Sequence, residues 1–145
     1  MKNLNIREIA ADDIFILKDW KNKYREFFFD KSFIDNARQS KWYEDVYLKD
    51  DYNTVYLVES DSVPIGCIGV YEREFECELY NVIRGNDDFR STGAMSVLLD
   101  KIVSSTDKKI VVQVLAKNPA ITWYEKNGFI RKQEASESVL LDLEK

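Results

Sequence analysis

Apolar positions along this chain follow two rhythms that alternate in blocks. Leu4-Asn5-Ile6-Arg7-Glu8-Ile9 keeps a period of two, which predicts a first strand. After Ala11-Asp12-Asp13 the rhythm turns helical: Ile14, Leu17, Trp20, Lys21 and Tyr24 share a face, with the Lys21 stem riding its rim. Residues 25–34 carry Phe27, Phe28, Phe29 and Phe33 and predict a loop or broken helix. Asn36 is placed to cap a second helix reaching to about residue 48, with Trp42, Tyr43, Val46 and Tyr47 as its aromatic side. Strands follow over 54–59 and, after a turn at 60–62, over 64–71, where Pro64 is tolerated as the first residue. A charged turn at 72–74 returns the chain as an antiparallel strand over 76–83. Met95, Leu98, Leu99 and Ile102 then mark a strong amphipathic helix, and Ile110-Val111-Val112-Gln113-Val114-Leu115 a short buried strand. A two-turn helix after Asn118 and strands near 129–132 and 138–143 complete the chain. The order β-α-α-β-β-β-α-β-α-β-β is an α+β layer architecture in a single domain over 1–145.

Charge and composition narrow the function classes. A formal net charge of −5 argues against nucleic-acid and anionic-membrane partners, which call for basic surface. No apolar run approaches membrane-spanning length and the N-terminus lacks a signal-peptide pattern, so a cytoplasmic protein is expected. Cys67 and Cys77 sit inside strand-like runs without metal-ligand spacing, and the chain has no histidine, so no metal is expected. Without histidine, proton transfer falls to a carboxylate, a tyrosine or water. The aromatic residues of the first two helices and of the Phe-rich stretch between them have two readings: core beside the sheet for most, or walls of an acceptor pocket for some.

Three local patterns carry candidate chemistry. Gly66 and Gly69 inside a strand signal close approach to the backbone, by a neighbouring helix or a ligand. The strand over 76–83 delivers the chain to Arg84-Gly85-Asn86-Asp87-Asp88-Phe89-Arg90-Ser91-Thr92-Gly93-Ala94-Met95, a hydroxyl- and glycine-bearing loop before a helix. Unpaired amides and the helix dipole make such a helix start an anion site. Asn118-Pro119 reads as N-cap and first helical residue, and Gly128 as the left-handed residue after the last turn. That fixes the phenol of Tyr124 on a short helix launched from a buried strand.

These patterns together resemble the GNAT (Gcn5-related) N-acetyltransferase superfamily over nearly the whole length. The quoted residues are Arg90-x-x-Gly93-Ala94 before a periodic helix, then Asn118 with Trp123-Tyr124-Glu125-Lys126-Asn127-Gly128-Phe129. Trp20-Lys21-Asn22 and Ser40-Lys41-Trp42-Tyr43 are similar to the bacterial branch containing ribosomal-protein N-terminal and nucleotide-aminosugar acetyltransferases. Met95 stands where that family has a tiny residue, the loop before Arg90 is longer, and Asn118 lies six rather than seven residues before the tyrosine.

The resemblance implies a mostly antiparallel central sheet flanked by helices and acetyl-CoA as acyl donor. The donor would be held by Val82, Ile83, Arg84, Arg90, Ser91, Thr92, Gly93, Ala94, Met95, Asn118 and Tyr124. A main-chain N–H at Val82 or Ile83 would stabilise the carbonyl oxygen, and Tyr124 would protonate the departing thiolate. Glu76 and Glu78, on one face of their strand, are the candidate bases, directly or through water, and Tyr80 and Asn81 the candidate partners of the acceptor. The acceptor would be a small-molecule amine, leaning to a nucleotide-linked aminosugar, with a protein N-terminal amine, or a polyamine or drug amine, as alternatives. A non-catalytic acyl-CoA sensor is a further alternative, and either a monomer or a homodimer fits.

Overall fold

The computed structural model describes residues 3–144, so positions 1, 2 and 145 of the expected domain lie outside the described residues. The strands are β1 (Leu4–Glu8), β2 (Asn53–Ser60), β3 (Val63–Glu72), β4 (Glu76–Arg84), β5 (Lys109–Leu115), β6 (Ile130–Glu134) and β7 (Ser138–Leu143). The helices are α1 (Ile14–Lys23), α2 (Asn36–Asp45), α3 (Ala94–Ser104) and α4 (Ile121–Lys126). All seven strands join one sheet in the order β1-β2-β3-β4-β5-β7-β6, antiparallel throughout except for β4 and β5. Element order and sheet character are those the hydrophobic rhythm and the resemblance predicted.

The sheet separates two cores. On one face Leu98, Leu99 and Ile102 of α3 and Ile121 and Tyr124 of α4 pack on Ile68, Leu79, Ile110 and Leu141. On the other, Ile14, Leu17 and Trp20 of α1 pack on Val55, Leu57, Cys67 and Ile83, with Trp42 and Tyr43 of α2 at the edge. Removing these aliphatic and aromatic groups from water is the main stabilising contribution, roughly 2 kcal/mol for each fully buried large side chain. The edge strand β6 is exposed and carries Arg131, Lys132 and Glu134, charges that discourage pairing with another chain.

Three helix boundaries differ from expectation. The cap of α2 is Asp35, not Asn36: its Oδ1 accepts the Arg38 amide at 2.8 Å from an extended backbone. The helix stops at Asp45 because Tyr47 turns inward, its hydroxyl accepting the Val55 amide at 2.9 Å and donating to Glu8 at 3.0 Å. Likewise α4 begins at Ile121, two residues after Pro119. Asn118 caps a preceding turn instead, with Oδ1 accepting the Ala120 amide at 2.9 Å.

The glycines of β3 are covered from within. A Cβ on Gly69 would strike the ring of Tyr80 across the strand pair, and one on Gly66 would meet the Met95 sulfur from α3 and the Ile83 carbonyl. The indole of Trp20 lies against Gly85 in the same way and fastens α1 to the end of β4.

Candidate active site

The geometry of the site begins with β4. Its pairing to β5 runs only from Glu76 opposite Lys109 to Leu79 opposite Val112, and beyond that point the two strands part. On its other side β4 pairs β3 with a bulge: Cys67 faces Ile83 and Gly69 faces Tyr80, so Asn81 and Val82 together oppose Ile68. Asn81 takes a left-handed backbone, φ 46°, which an asparagine tolerates better than most residues. The bulge re-aims the strand where it parts from β5.

A cleft of about 660 Å³ opens there. Val82, Ile83 and Arg84 form the β4 wall, and Asn118, Pro119, Ala120 and Trp123 the wall beyond β5. Ser91, Gly93, Ala94, Met95 and Ser96 close one end, while Tyr24, Phe27 and Phe28 cover the other side. Gly93 is left-handed at φ 80° with open space around it, and no side chain caps α3. The amides of Ala94, Met95 and Ser96 have no acceptor within the helix, and its dipole adds positive potential at the cleft. Ser96 also accepts the Trp123 indole N–H at 3.1 Å, tying α3 to α4 across the cleft.

Asp87 organises the charges at the mouth. Its carboxylate pairs with Lys23 at 2.9 Å, takes the Tyr24 hydroxyl at 3.3 Å, and lies 3.5 Å from Arg84 and 3.8 Å from Arg90. Lys23 above all holds Asp87 below the usual carboxylate range. Arg84 Nε is buried with no acceptor among the described residues, and Lys126 adds a further cation to the lining.

Of the residues expected to hold a donor, Val82, Ile83, Arg84, Ser91, Gly93, Ala94, Met95 and Asn118 line this cleft. Arg90 and Thr92 stand outside the lining: Arg90 is mostly exposed, and the Thr92 hydroxyl bonds the Phe89 carbonyl at 2.7 Å. Tyr124 is only 2% exposed and is absent from the cleft wall. Its ring packs edge-on against Trp123 and Phe129, and burial alone pushes its phenol well above the ordinary tyrosine value. Glu76 and Glu78 are not brought to the cleft. They occupy the paired end of β4, with Glu78 bound to Arg73 at 2.7 Å, and four residues of strand put Glu78 roughly 13 Å from Val82.

Tyr80 turns into the other face, donating to Asn53, and burial pushes its phenol up to about 12. Asn81 lines a second cavity of about 170 Å³ between α1, α2 and the bulge. There its side-chain oxygen accepts Lys21, which the helical pattern placed on the rim of α1. The structure turns that side chain inward, its Nζ 3.9 Å from the centre of the Phe28 ring. Desolvation brings the Lys21 ammonium down to about 8. The signal was present in the sequence, since Lys21 follows Ile14 and Leu17 at buried-face spacing. Phe27, Phe28, Phe89, Ser96, Trp123 and Lys126 also join the site without having been singled out for it.

Among the described residues no helix is long and apolar enough to cross a membrane. The model of the acetyltransferase (GNAT) family matches residues 15–129. Among curated proteins, none matches the chain. Solved structures share its fold. Spermidine N-acetyltransferase from Vibrio cholerae, in complex with CoA and spermine, superposes with a TM-score of 0.83 at 16% identity, covering 99% of this chain and 96% of that one. Ribosomal-protein-alanine N-acetyltransferase from Brucella melitensis gives 0.76 at 16% identity, covering 97% and 99%. PaiA N-acetyltransferase from Thermoplasma acidophilum, in complex with coenzyme A, gives 0.71 at 17% identity, covering 99% of both.

Proposed function

The chain belongs to the acetyltransferase (GNAT) family, and from that membership we propose that it is an N-acetyltransferase carrying an acetyl group from acetyl-CoA to a primary amine of a small molecule. The observation that carries the reading is the cleft where β4 and β5 part, with the uncapped start of α3 opening into it. The donor's pyrophosphate suits the amides of Ala94, Met95 and Ser96, with Arg84, Arg90 and Lys126 supplying positive charge. Fixing the donor there converts a chance encounter with the amine into an oriented one. The N–H of Val82 or Ile83, beside the bulge, is assigned to the carbonyl oxygen as negative charge develops on it.

Tyr124 is assigned the proton taken by the departing thiolate. Burial keeps its phenol protonated at neutral pH, the state needed for donation. Its ring packs against Trp123, which lines the cleft, so the reading requires the sulfur to approach the phenol from that wall. With Glu76 and Glu78 at the far end of β4, the amine's proton is assigned to water rather than to a strand carboxylate. The acceptor assigned is a small amino compound, with nucleotide-linked aminosugars favoured over a protein N-terminal amine, and the protein acting in the cytoplasm as a monomer or homodimer. A second reading, a sensor that binds acyl-CoA without turnover, is favoured by the absence of Tyr124 from the cleft wall.

Calorimetry with acetyl-CoA and a thiol-release assay with a panel of amines test both readings. The enzyme reading expects heat on binding, amine-dependent thiol release, and a fall in kcat of about 100-fold in Tyr124→Phe. Heat without release for any amine supports the sensor. No heat at all sinks both.

A further inference from the structure

The second cavity lies directly across the bulge from the cleft. The two share Ile83, and the stacked pair Lys21 and Phe28 stands between them, Lys21 lining one and Phe28 the other. A head group seated in the second cavity therefore meets the donor at the place where Asn81 and Val82 bulge out of β4. Its volume, about 170 Å³ against about 660 Å³ for the cleft, suits a compact head group rather than a stretch of peptide.

The charges of this cavity are lopsided. Lys18, Lys21 and Arg38 line it against a single carboxylate, Asp30, although the whole chain is net negative. Asp30 is already engaged by Arg38 at 3.2 Å and by the Ser32 hydroxyl at 2.6 Å. Lys18 is held by Asp19 at 2.9 Å and Asn36 at 2.7 Å. Lys21 differs: its partners are a neutral amide oxygen and a ring face, and among the described residues no carboxylate pairs with it. An ammonium has three donors, so Lys21 retains capacity for an incoming acceptor atom. Asp30 acts on this mostly buried cation only from a distance and is itself engaged by Arg38, so desolvation outweighs it, and an anionic group delivered to Lys21 offsets that cost.

We propose that this second cavity is the acceptor site and that Lys21 receives an acidic oxygen group of the acceptor, so that the acetylated amine belongs to a molecule bearing a carboxylate or phosphate near its amino group. The inference rests on the acetyl-transfer reading and deepens it. In the reaction the amine nitrogen bonds to the acetyl carbon and the C–S bond breaks with its electron pair on sulfur. One proton leaves the nitrogen and one is taken by the thiolate. Pairing with Lys21 also cancels the hold that the acceptor's own anion has on its ammonium, so the neutral, attacking form is not disfavoured. The same cation opposes a polyamine, whose every nitrogen carries positive charge.

The test uses the full chain, acetyl-CoA and thiol release with matched amines: β-alanine against propylamine, 2-aminoethyl phosphate against ethanolamine, and spermidine. The expected result is kcat/KM at least 10-fold higher for one acidic amine than for its neutral match, with spermidine slowest. The carboxylate and phosphate pairs separate the two sources of the anion. Lys21→Met should collapse that ratio toward one through KM, while Lys21→Arg keeps part of it, and thermal melting confirms that both variants fold. Turnover that prefers spermidine or the neutral amines, or a ratio unmoved by Lys21→Met, overturns the inference and leaves acetyl transfer standing. No thiol release with any amine overturns the functional reading and this inference with it.

Discussion

The two faces of the sheet solve recognition differently. On the α3 and α4 face the core is largely aliphatic, and what it offers a ligand is main chain: the open amides after Gly93 and the parted end of β4. On the α1 and α2 face polar side chains are sunk among aromatics. Gln39 donates to the Ile14 carbonyl at 2.7 Å, Tyr47 bridges β1 and β2, Tyr80 binds Asn53, and Lys21 binds Asn81. Main-chain recognition survives most substitutions, because every residue but proline supplies the same N–H. Side-chain recognition changes with one residue. A face of the first kind suits a common donor, and a face of the second kind suits an acceptor that sets one protein apart from its relatives.

The largest expected break in this contrast is Gly85→Ala. A Cβ there would sit inside the Trp20 indole, which cannot move without unseating α1 from β4. A loss of about 3 kcal/mol in denaturant unfolding is expected. Next comes Gly93→Glu, which strains a left-handed position and brings a negative charge to the helix start. Coenzyme A affinity should fall about 30-fold, or about 2 kcal/mol, by calorimetry. A main-chain site that ignored this change would not be gripping phosphate.

Lys21→Met sharpens the contrast from the other face, and should raise stability at pH 7 by about 1 kcal/mol, since a buried charge is removed. The sign with pH is definite. The folded value of Lys21 is about 8, below its ordinary 10.5, so folding is penalised while the lysine is charged. That penalty is complete below pH 8 and fades as pH rises from about 8 towards 10.5. The surrounding groups, Lys18, Asp30, Arg38 and Cys67, are the same in both proteins. Unfolding curves at pH 7 and pH 9.5 should therefore show the gap between variant and parent narrowing. Smallest is Ser96→Ala, which removes the acceptor of the Trp123 indole and should cost about 0.5 kcal/mol, with a shift in tryptophan fluorescence.

Element order was legible because it depends on local rhythm: the β-branched run of β5 and the Leu98, Leu99, Ile102 stripe of α3 mean the same in any context. The cleft at the start of α3 was largely legible as well, since a loop entering a helix carries its amides with it. The α1 and α2 side was not. Glu76 and Glu78 do lie on one face of β4, but which end of a strand reaches the site depends on where β5 leaves it, a non-local fact. The bulge at Asn81 arises from the register between β3 and β4, and no local signature announces it. Lys21 was read as a rim residue because lysine usually snorkels. Its helical spacing put it beside the buried face, but the Asn81 oxygen that holds it there, sixty residues on, and the Phe28 ring in the irregular segment after α1 are tertiary facts.

Met95 and Gly66 behave as one unit of volume shared between a strand and a helix. The thioether fills the hollow left by the absent Cβ, which is how a long side chain is housed in the first turn of α3. A Cβ at position 66 would press on the sulfur and also on the Ile83 carbonyl, so trimming Met95 relieves only half of the conflict and the β4 backbone at the cleft must still shift. The width of the cleft is thus tied to a glycine of β3, through one thioether and one carbonyl.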